Sequence, residues 1–180
     1  MTTLADLGPR ICVLGPSNSG KSTLAVAIAR HRQLQAVHLD QLFHLSHTDW
    51  QPRPEADFLQ LHADAIAQER WVMDGNYSRC LPARLARATG FILLDLPTRT
   101  SLLRYFRRSW FERNRHGALA GNQDTVKWAM LHHIAVVTPP HRRRYDQLFE
   151  GIALPKLKLA NTRQLQRFYE TEGLAREPAP

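Results

Sequence analysis

The sequence is poor in cysteine and has no long apolar run. Its two cysteines, Cys12 and Cys80, cannot form a framework of disulfide bonds, which favours a reducing compartment and predicts a cytoplasmic protein. No apolar stretch approaches the ~20 residues of a membrane-spanning helix. The first ten residues, MTTLADLGPR, lack the pattern of a signal peptide. These absences exclude a disulfide scaffold and predict a soluble protein without a membrane partner.

Acidic residues are too few to balance the basic ones, and the formal net charge is +8. Residues 1–90 hold nine Lys and Arg against eight Asp and Glu, whereas residues 91–180 hold fifteen against eight. Most of the excess lies in RTSLLRYFRRSWFERNR (99–115) and HRRR (141–144). Such a patch can bind nucleic acid, a membrane surface or a polyphosphate, and composition does not choose among them.

Short apolar runs alternate with longer helical patterns along the chain. The runs at 10–15, 36–40, 71–75, 91–97 and 156–160 are typical of strands buried on both faces of a parallel sheet. Helical patterns lie at 21–32, 53–69, 98–114 and 161–172. We therefore predict one three-layer α/β domain over residues 1–180. Its ligands should lie beyond the carboxyl ends of the strands, at Gly15, Asp40, Asp74, Asp95 and Ala160.

The stretch WVMDGNYS (71–78) has two interpretations. An apolar run followed by Asp-Gly favours a β-hairpin turn. The following YSRCLPARLARATG is helix-like, however, and the next strand begins only at Phe91, so no partner strand follows the turn. We therefore predict a buried strand that ends in the carboxylate of Asp74, with Gly75 serving close packing.

The segment GPSNSGKS (15–22) matches the P-loop pattern G-x-x-x-x-G-K-[ST] between a predicted strand and a predicted helix. Backbone N–H groups of such a loop point at a bound phosphate. Lys21 can reach the β- and γ-phosphates, and Ser22 can offer its hydroxyl to Mg²⁺. We predict ATP and Mg²⁺ as cofactors, with ATP bound by Gly15, Pro16, Ser17, Asn18, Ser19, Gly20, Lys21, Ser22 and Thr23.

Three motifs of other P-loop proteins are absent. The sequence contains no Asp-x-x-Gly switch and no Asn-Lys-x-Asp base-reading motif, which excludes an ordinary GTPase. Neither LDLP nor MDGN carries the acidic pair that motor and AAA-type ATPases have after a Walker B strand. A small phosphotransferase remains.

Five segments carry a more specific resemblance. They are GPSNSGKSTLA, VHLDQLF, WVMDGNYS, FILLDLPTRTSLLRYFRR and LKLANTRQLQRFY, and together they cover nearly the whole chain. In this order they resemble the nucleoside-monophosphate-kinase-like P-loop proteins, in particular the adenylate-kinase-related DNA topology modulation (FlaR-like) group. The resemblance implies a five-stranded sheet of order 2-3-1-4-5.

The resemblance also implies roles for the carboxylates at the strand ends. Asp74 becomes the Walker B residue, which holds Mg²⁺ together with Ser22. Asp95 is a second candidate, although capping of the next loop is the favoured interpretation for it. Asp40 would orient the acceptor hydroxyl and serve as base, or else cap a helix.

The segment 41–70 would bind the acceptor. Trp50 and Arg53 are candidates for stacking and charge contacts, and Gly75, Asn76, Tyr77 and Arg84 for the rest of the acceptor site. Trp50 could equally be a core residue and Arg84 a solvated helix residue. Adenylate kinases continue Asp-Gly with Pro-Arg, and shikimate kinases carry an acidic residue where His38 stands, so neither acceptor transfers directly.

Arginines at about 104–140 would form a lid over the ATP phosphates. The residues concerned are Arg104, Arg107, Arg108 and Arg115, with Arg104 and Arg108 acting in catalysis beside Lys21, Asp40 and Asp74. A nucleic-acid surface and a solvated helix face are the alternatives. His38, Asp40, His44 and His47 lack the spacing of a zinc site.

The predicted function is transfer of the γ-phosphoryl group of Mg·ATP to a small nucleotide, nucleoside or hydroxy metabolite. The alternative is an ATP-dependent regulatory protein, associated with nucleic acid and with little kinase activity.

Overall fold

A five-stranded sheet forms the centre of the molecule. The computed structural model describes residues 2–48, 50–97, 100 and 138–176. The strands are β1 (Arg10–Leu14), β2 (Gln35–His38), β3 (Trp71–Asp74), β4 (Gly90–Leu94) and β5 (Lys156–Leu159). All pairs are parallel, and the order is β2-β3-β1-β4-β5. The predicted α/β fold and its strand order are confirmed.

Helices connect the strands in the described part of the chain. They are α1 (Lys21–Arg32), α2 (Leu39–Phe43), α3 (Glu55–Ala67), α4 (Leu81–Arg87), α5 (Thr138–Gly151) and α6 (Thr162–Thr171). Acidic Glu55 and Asp57 lie in the first turn of α3, where the helix dipole favours negative charge. Asn161 caps α6, because its Oδ1 accepts the N–H of Gln164 at 2.9 Å.

Alternating residues of the strands supply two cores, one on each face of the sheet. Ile11 and Val13 pack with α1 and α6 into an apolar first core, whereas Cys12 and Leu14 belong to the second core, with Phe58 of α3. The helices α3 and α4 on the second face also carry buried polar residues, His62 and Arg84. The other two buried polar residues, Ser19 and Asp74, lie in the loop after β1 and at the end of β3.

The strand register places the ends of three strands together. Asp74 lies opposite Val13 of β1 on one side and opposite His38 of β2 on the other. Parallel strands end at the same edge of a sheet, so the loop after β1 begins beside Asp74. WVMDGNYS is therefore a central parallel strand followed by a turn, as predicted.

The prediction for the second strand was wrong at its end. We expected a strand over 36–40, but β2 ends at His38, and Leu39 and Asp40 already belong to the short helix α2. Consequently His38, and not Asp40, is the register partner of Asp74. The helix α5 was not predicted either, and the helix predicted at 98–114 lies outside the described residues except for Thr100. Within the described ranges, no helix is long and apolar enough to cross a membrane.

Candidate functional site

The phosphate loop (15–22) leaves β1 through a glycine that no other residue could replace without strain. Gly15 has φ 145°, and a Cβ there would lie 2.2 Å from the carbonyl oxygen of Leu94. The loop then runs directly into the first turn of α1 at Lys21. Its N–H groups therefore lie at the positive end of a twelve-residue helix, which is the geometry that binds phosphate.

Lys21 closes the loop on itself. Its Nζ donates to the carbonyl oxygen of Pro16 at 2.8 Å, which places the ammonium group across the mouth of the loop. A lysine on a flexible stem is a mobile point charge, suited to the terminal phosphates of a nucleotide.

Ser22 and Asp74 meet at the junction of loop and sheet. The Ser22 hydroxyl donates to Asp74 Oδ2 at 2.7 Å, and His38 Nδ1 contacts Asp74 Oδ1. The Asp74 residue is only 5 % exposed. A hydroxyl oxygen and a carboxylate are hard oxygen ligands of the kind Mg²⁺ prefers, so this pair fits the magnesium site of a P-loop protein.

Asn76 connects the turn after β3 to the phosphate loop. Its Nδ2 donates to the carbonyl oxygen of Gly15 at 2.8 Å, and its Oδ1 accepts the N–H of Gly15 at 3.2 Å. The two bonds use both backbone groups of Gly15. Asn76 therefore acts on the loop rather than on an open acceptor surface.

Tyr77, the next residue, connects the same turn to Asp40. The Tyr77 hydroxyl donates to Asp40 Oδ1 at 2.8 Å. Burial raises the pKa of Tyr77, and the negative charge of Asp40 raises that pKa further, so the hydroxyl stays protonated and remains a donor. Asp40 itself is exposed, and its carboxylate carries a second acceptor oxygen, Oδ2.

A cavity of about 400 Å³ opens beside Tyr77. Three aromatic rings form its apolar part, with centroid separations of 5.2 Å for Phe43 and Phe58, 4.9 Å for Phe43 and Tyr77, and 5.4 Å for Phe58 and Tyr77. Its polar lining residues are Arg53, Glu55, Ser78 and Arg79. The volume is in the range of small-molecule sites.

Two arginines line this cavity, one bonded to the backbone and the other paired with a carboxylate. The Nε of Arg53 donates to the carbonyl oxygen of Leu42 at 3.0 Å, which holds the guanidinium group at the cavity wall. Arg79 pairs with Glu55, and both side chains are more than half exposed. An exposed pair of this kind is weak, so it can exchange for another partner.

The structure brings most of the predicted site residues together and leaves others apart. Lys21, Ser22 and Asp74 converge, whereas Asp95 lies on the far flank of the sheet, 3.4 Å from Lys158 Nζ. Trp50 packs against His44, with ring centroids 5.1 Å apart, and does not line the cavity. The lid arginines Arg104, Arg107, Arg108 and Arg115 lie outside the described residues.

Arg84 differs from both interpretations of the sequence. It is 0 % exposed, so it is neither a solvated helix residue nor part of the open cavity wall. Its Nη1 donates to the carbonyl oxygen of Gly75 at 3.0 Å. It therefore contacts the backbone of the residue that follows β3 from inside the core.

Sequence reasoning missed three contributors to the site. His38 is the partner of Asp74, and Phe43 and Phe58 line the cavity. The sequence signal for His38 is its position at the end of a strand next to β3. We predicted an end two residues later, at Asp40, and therefore did not assign His38 to the site. The two phenylalanines resemble core residues in the sequence. In the described ranges, no group of three His, Cys, Asp or Glu could hold a metal ion, so the histidines at 38, 44 and 47 form no such cluster.

Comparison with known proteins bears on the fold. A provisionally named kinase from Chloroflexus aurantiacus j-10-fl is 14% identical, with 93% of this chain and 98% of that chain covered at a TM-score of 0.52. The chain has the P-loop NTPase fold. A gluconokinase from Sinorhizobium meliloti 1021 is 16% identical, covering 93% and 90% at a TM-score of 0.49. A sugar kinase from Janibacter sp. HTCC2649 is 17% identical, covering 94% and 97% at a TM-score of 0.45.

No family model and no curated protein matches the chain. The narrower resemblance to the DNA topology modulation (FlaR-like) group therefore stays a prediction.

Proposed function

We propose that this protein is an ATP-dependent phosphotransferase that moves the γ-phosphoryl group of Mg·ATP to a small acceptor. The observation that carries the proposal is the 2.7 Å hydrogen bond from Ser22 to Asp74. It joins the end of the phosphate loop to the strand beside it and collects the two oxygen groups that Mg²⁺ requires in this fold.

Each group at the loop has a role in binding the donor. Backbone N–H groups of the phosphate loop bind the phosphate oxygens, and Lys21 moves from Pro16 to the β- and γ-phosphates. Ser22 and Asp74 would hold Mg²⁺, which supplies neutralisation of charge on the phosphates. His38 fixes one oxygen of Asp74, so the other oxygen faces Ser22.

Asp40 orients the acceptor and takes its proton. The bond from Tyr77 occupies Oδ1 of Asp40, which leaves Oδ2 to accept a hydrogen bond from an acceptor hydroxyl. A carboxylate placed in this way raises the nucleophilicity of the hydroxyl and holds it for attack. The arginines of the segment 104–115 would close over the transferring group and exclude water, which otherwise competes as acceptor.

The cavity beside Tyr77 favours an acceptor with a flat ring and an anionic group. Three aromatic side chains line the cavity and provide surface for a ring. Arg53 at the wall, and Arg79 when it leaves Glu55, provide positive charge for an anion. The proposed acceptor thus differs from the gluconate that the name of one similar structure implies for that protein.

A two-by-two acceptor panel tests this function. We would measure ADP release from Mg·ATP with nucleoside 5′-monophosphates (ring and anion), nucleosides (ring only), D-gluconate (anion only) and glycerol (neither). The largest stimulation is expected with a monophosphate. Arg53→Gln should reduce its advantage over the nucleoside, and Arg53→Lys should retain part of that advantage.

The panel also separates the two functions that the sequence left open. If no acceptor raises ADP release above the rate of hydrolysis, and binding to DNA depends on ATP, the regulatory function replaces the phosphotransferase. Stimulation by gluconate alone would retain the phosphotransferase and overturn the ring-bearing acceptor.

A further inference from the structure

Arg84 is a fully buried cation, and its burial has no explanation in the packing of the core. The residue is 0 % exposed, and arginine stays protonated at every pH at which proteins are folded. Its Nε and Nη2 find no hydrogen-bond acceptor among the described residues, and only Nη1 is bonded, to the carbonyl oxygen of Gly75. Burial of a charge is unfavourable, so a leucine or methionine would be the simpler core residue here.

The bond from Arg84 ends on the turn that joins the two halves of the site. Gly75 begins this 75–77 turn, with φ 131°, and a Cβ there would lie 2.7 Å from Leu39 Cβ. Asn76 then bonds both backbone groups of Gly15, and Tyr77 bonds Asp40. The 75–77 turn therefore touches the phosphate loop and the acceptor carboxylate through successive residues.

We propose that Arg84 is a positioning residue. It fixes the 75–77 turn and thereby holds the phosphate loop and Asp40 at a fixed position relative to each other. This inference rests on the proposed function, which assigns the phosphate loop to the donor and Asp40 to the acceptor. Arg84 touches neither substrate and acts through Asn76 and Tyr77. Small displacements of reacting groups cost large factors in rate, so loosening this turn should slow transfer even when both substrates are bound.

The test compares two arginines on the same helix. Arg84→Met removes the bond to Gly75 and retains an apolar stem of similar length. Arg87→Met is the matched control, because Arg87 also donates to backbone carbonyls, those of Ile66 and Ala67, but on α3 and away from the turn. We expect Arg84→Met to lower kcat at saturation of both substrates by about 10- to 100-fold. Arg87→Met should leave kcat within about twofold of the wild type.

Two further measurements distinguish positioning from stability. Arg84→Lys, which can still donate to Gly75, should recover part of kcat. Binding of a non-hydrolysable ATP analogue, measured by calorimetry without acceptor, should weaken about 5-fold or more in Arg84→Met and be unchanged in Arg87→Met. If Arg84→Met does not fold, the same two measurements on Arg84→Lys and Asn76→Ala decide, and wild-type values in both overturn the proposal.

The binding measurement also separates this inference from the proposed function. If the wild type shows no acceptor-dependent ADP release, the phosphotransferase fails while the binding of the analogue still tests Arg84. A wild-type kcat and a wild-type affinity for the analogue in folded Arg84→Met would overturn the positioning role.

Discussion

The two sides of the proposed site, the phosphate loop as donor side and the cavity with Asp40 as acceptor side, are constructed differently. The phosphate loop is eight consecutive residues whose chemistry resides mainly in backbone N–H groups. The acceptor side combines Asp40 and Phe43 of α2, Phe58 of α3 and Tyr77 of the 75–77 turn, and its chemistry resides in side chains. Under the proposed function, side-chain substitutions alone should change the acceptor, whereas the donor side should tolerate few substitutions.

The contrast predicts that variants on the two sides will fail in different ways. Donor-side variants should lose activity with every acceptor, because they act on the nucleotide. Acceptor-side variants should alter the constants for the acceptor and leave those for ATP in place. Variants that disturb both sets of constants would identify the residues that connect the two sides.

The largest effect is expected from Lys21→Ala. The ammonium group would act on charge that develops in the transferring phosphoryl group, so its loss should lower kcat about 10²–10³-fold with every acceptor. Steady-state ADP release across the acceptor panel measures this. Lys21→Arg serves as the control for charge. A deficit confined to one acceptor would contradict the division into donor and acceptor sides.

A smaller effect is expected on the acceptor side at low pH. His62 on α3 packs behind Phe58, with ring centroids 6.4 Å apart, and is 2 % exposed. Burial and, to a smaller extent, the positive charge of Arg84 lower the pKa of His62 to about 4. In the unfolded chain His62 binds a proton below its ordinary pKa of 6.5, whereas in the folded protein it binds one only near pH 4. The free energy of unfolding should therefore fall as the pH drops through this window.

The contribution of His62 is measured by difference. Between pH 7 and pH 4 the wild type should lose about 3 kcal/mol more free energy of unfolding than His62→Leu. Urea denaturation followed by tryptophan fluorescence gives both values. His47→Asn, at an exposed histidine, is the control and should retain the wild-type slope. Parallel curves for the wild type and His62→Leu would contradict the lowered pKa of His62.

The smallest effect is expected from Tyr77→Phe. This change keeps the ring at the cavity and removes the 2.8 Å bond to Asp40. A hydrogen bond to a charged group is worth about 1.5–3 kcal/mol, so kcat/KM for the acceptor should fall about 10- to 100-fold, with KM for ATP unchanged. Tyr169→Phe, in the core on the other face of the sheet, should have no kinetic effect. A raised KM for ATP would place Tyr77 on the donor side.

Short sequence motifs correctly predicted the features that depend on a few neighbouring residues. The motif at 15–22 placed Lys21 and Ser22, the run at 71–75 placed Asp74, and Asn161 marked the start of α6, because each signal is contained in a few neighbouring residues. The parallel sheet followed from buried runs separated by helical patterns. Its strand order came from the resemblance of the motifs and is confirmed by the structure.

The rest depended on contacts between distant residues. The cavity joins residues from 43 to 79, and a phenylalanine in a helical stripe gives no indication that it lines a cavity. From the pattern HLD we predicted that the second strand ends at Asp40. The pattern does not show that the strand ends at His38 and a helix begins at the next residue. Arg84 was predicted to line the acceptor site or to be a solvated helix residue, and neither interpretation anticipated its burial, since arginine is rarely buried and its neighbours come from other elements.

The pair of bonds from Asn76 to Gly15 follows directly on the β1–β3 ladder. A side-chain amide offers the same donor and acceptor as a peptide group, so it pairs with Gly15 just beyond the last paired residues of the two strands. No other side chain can make both of these bonds from position 76. Aspartate would lose the donor, and glutamine would shift the amide by one methylene group. The first residue of the phosphate loop is thus held by a side chain at the point where the two strands no longer pair.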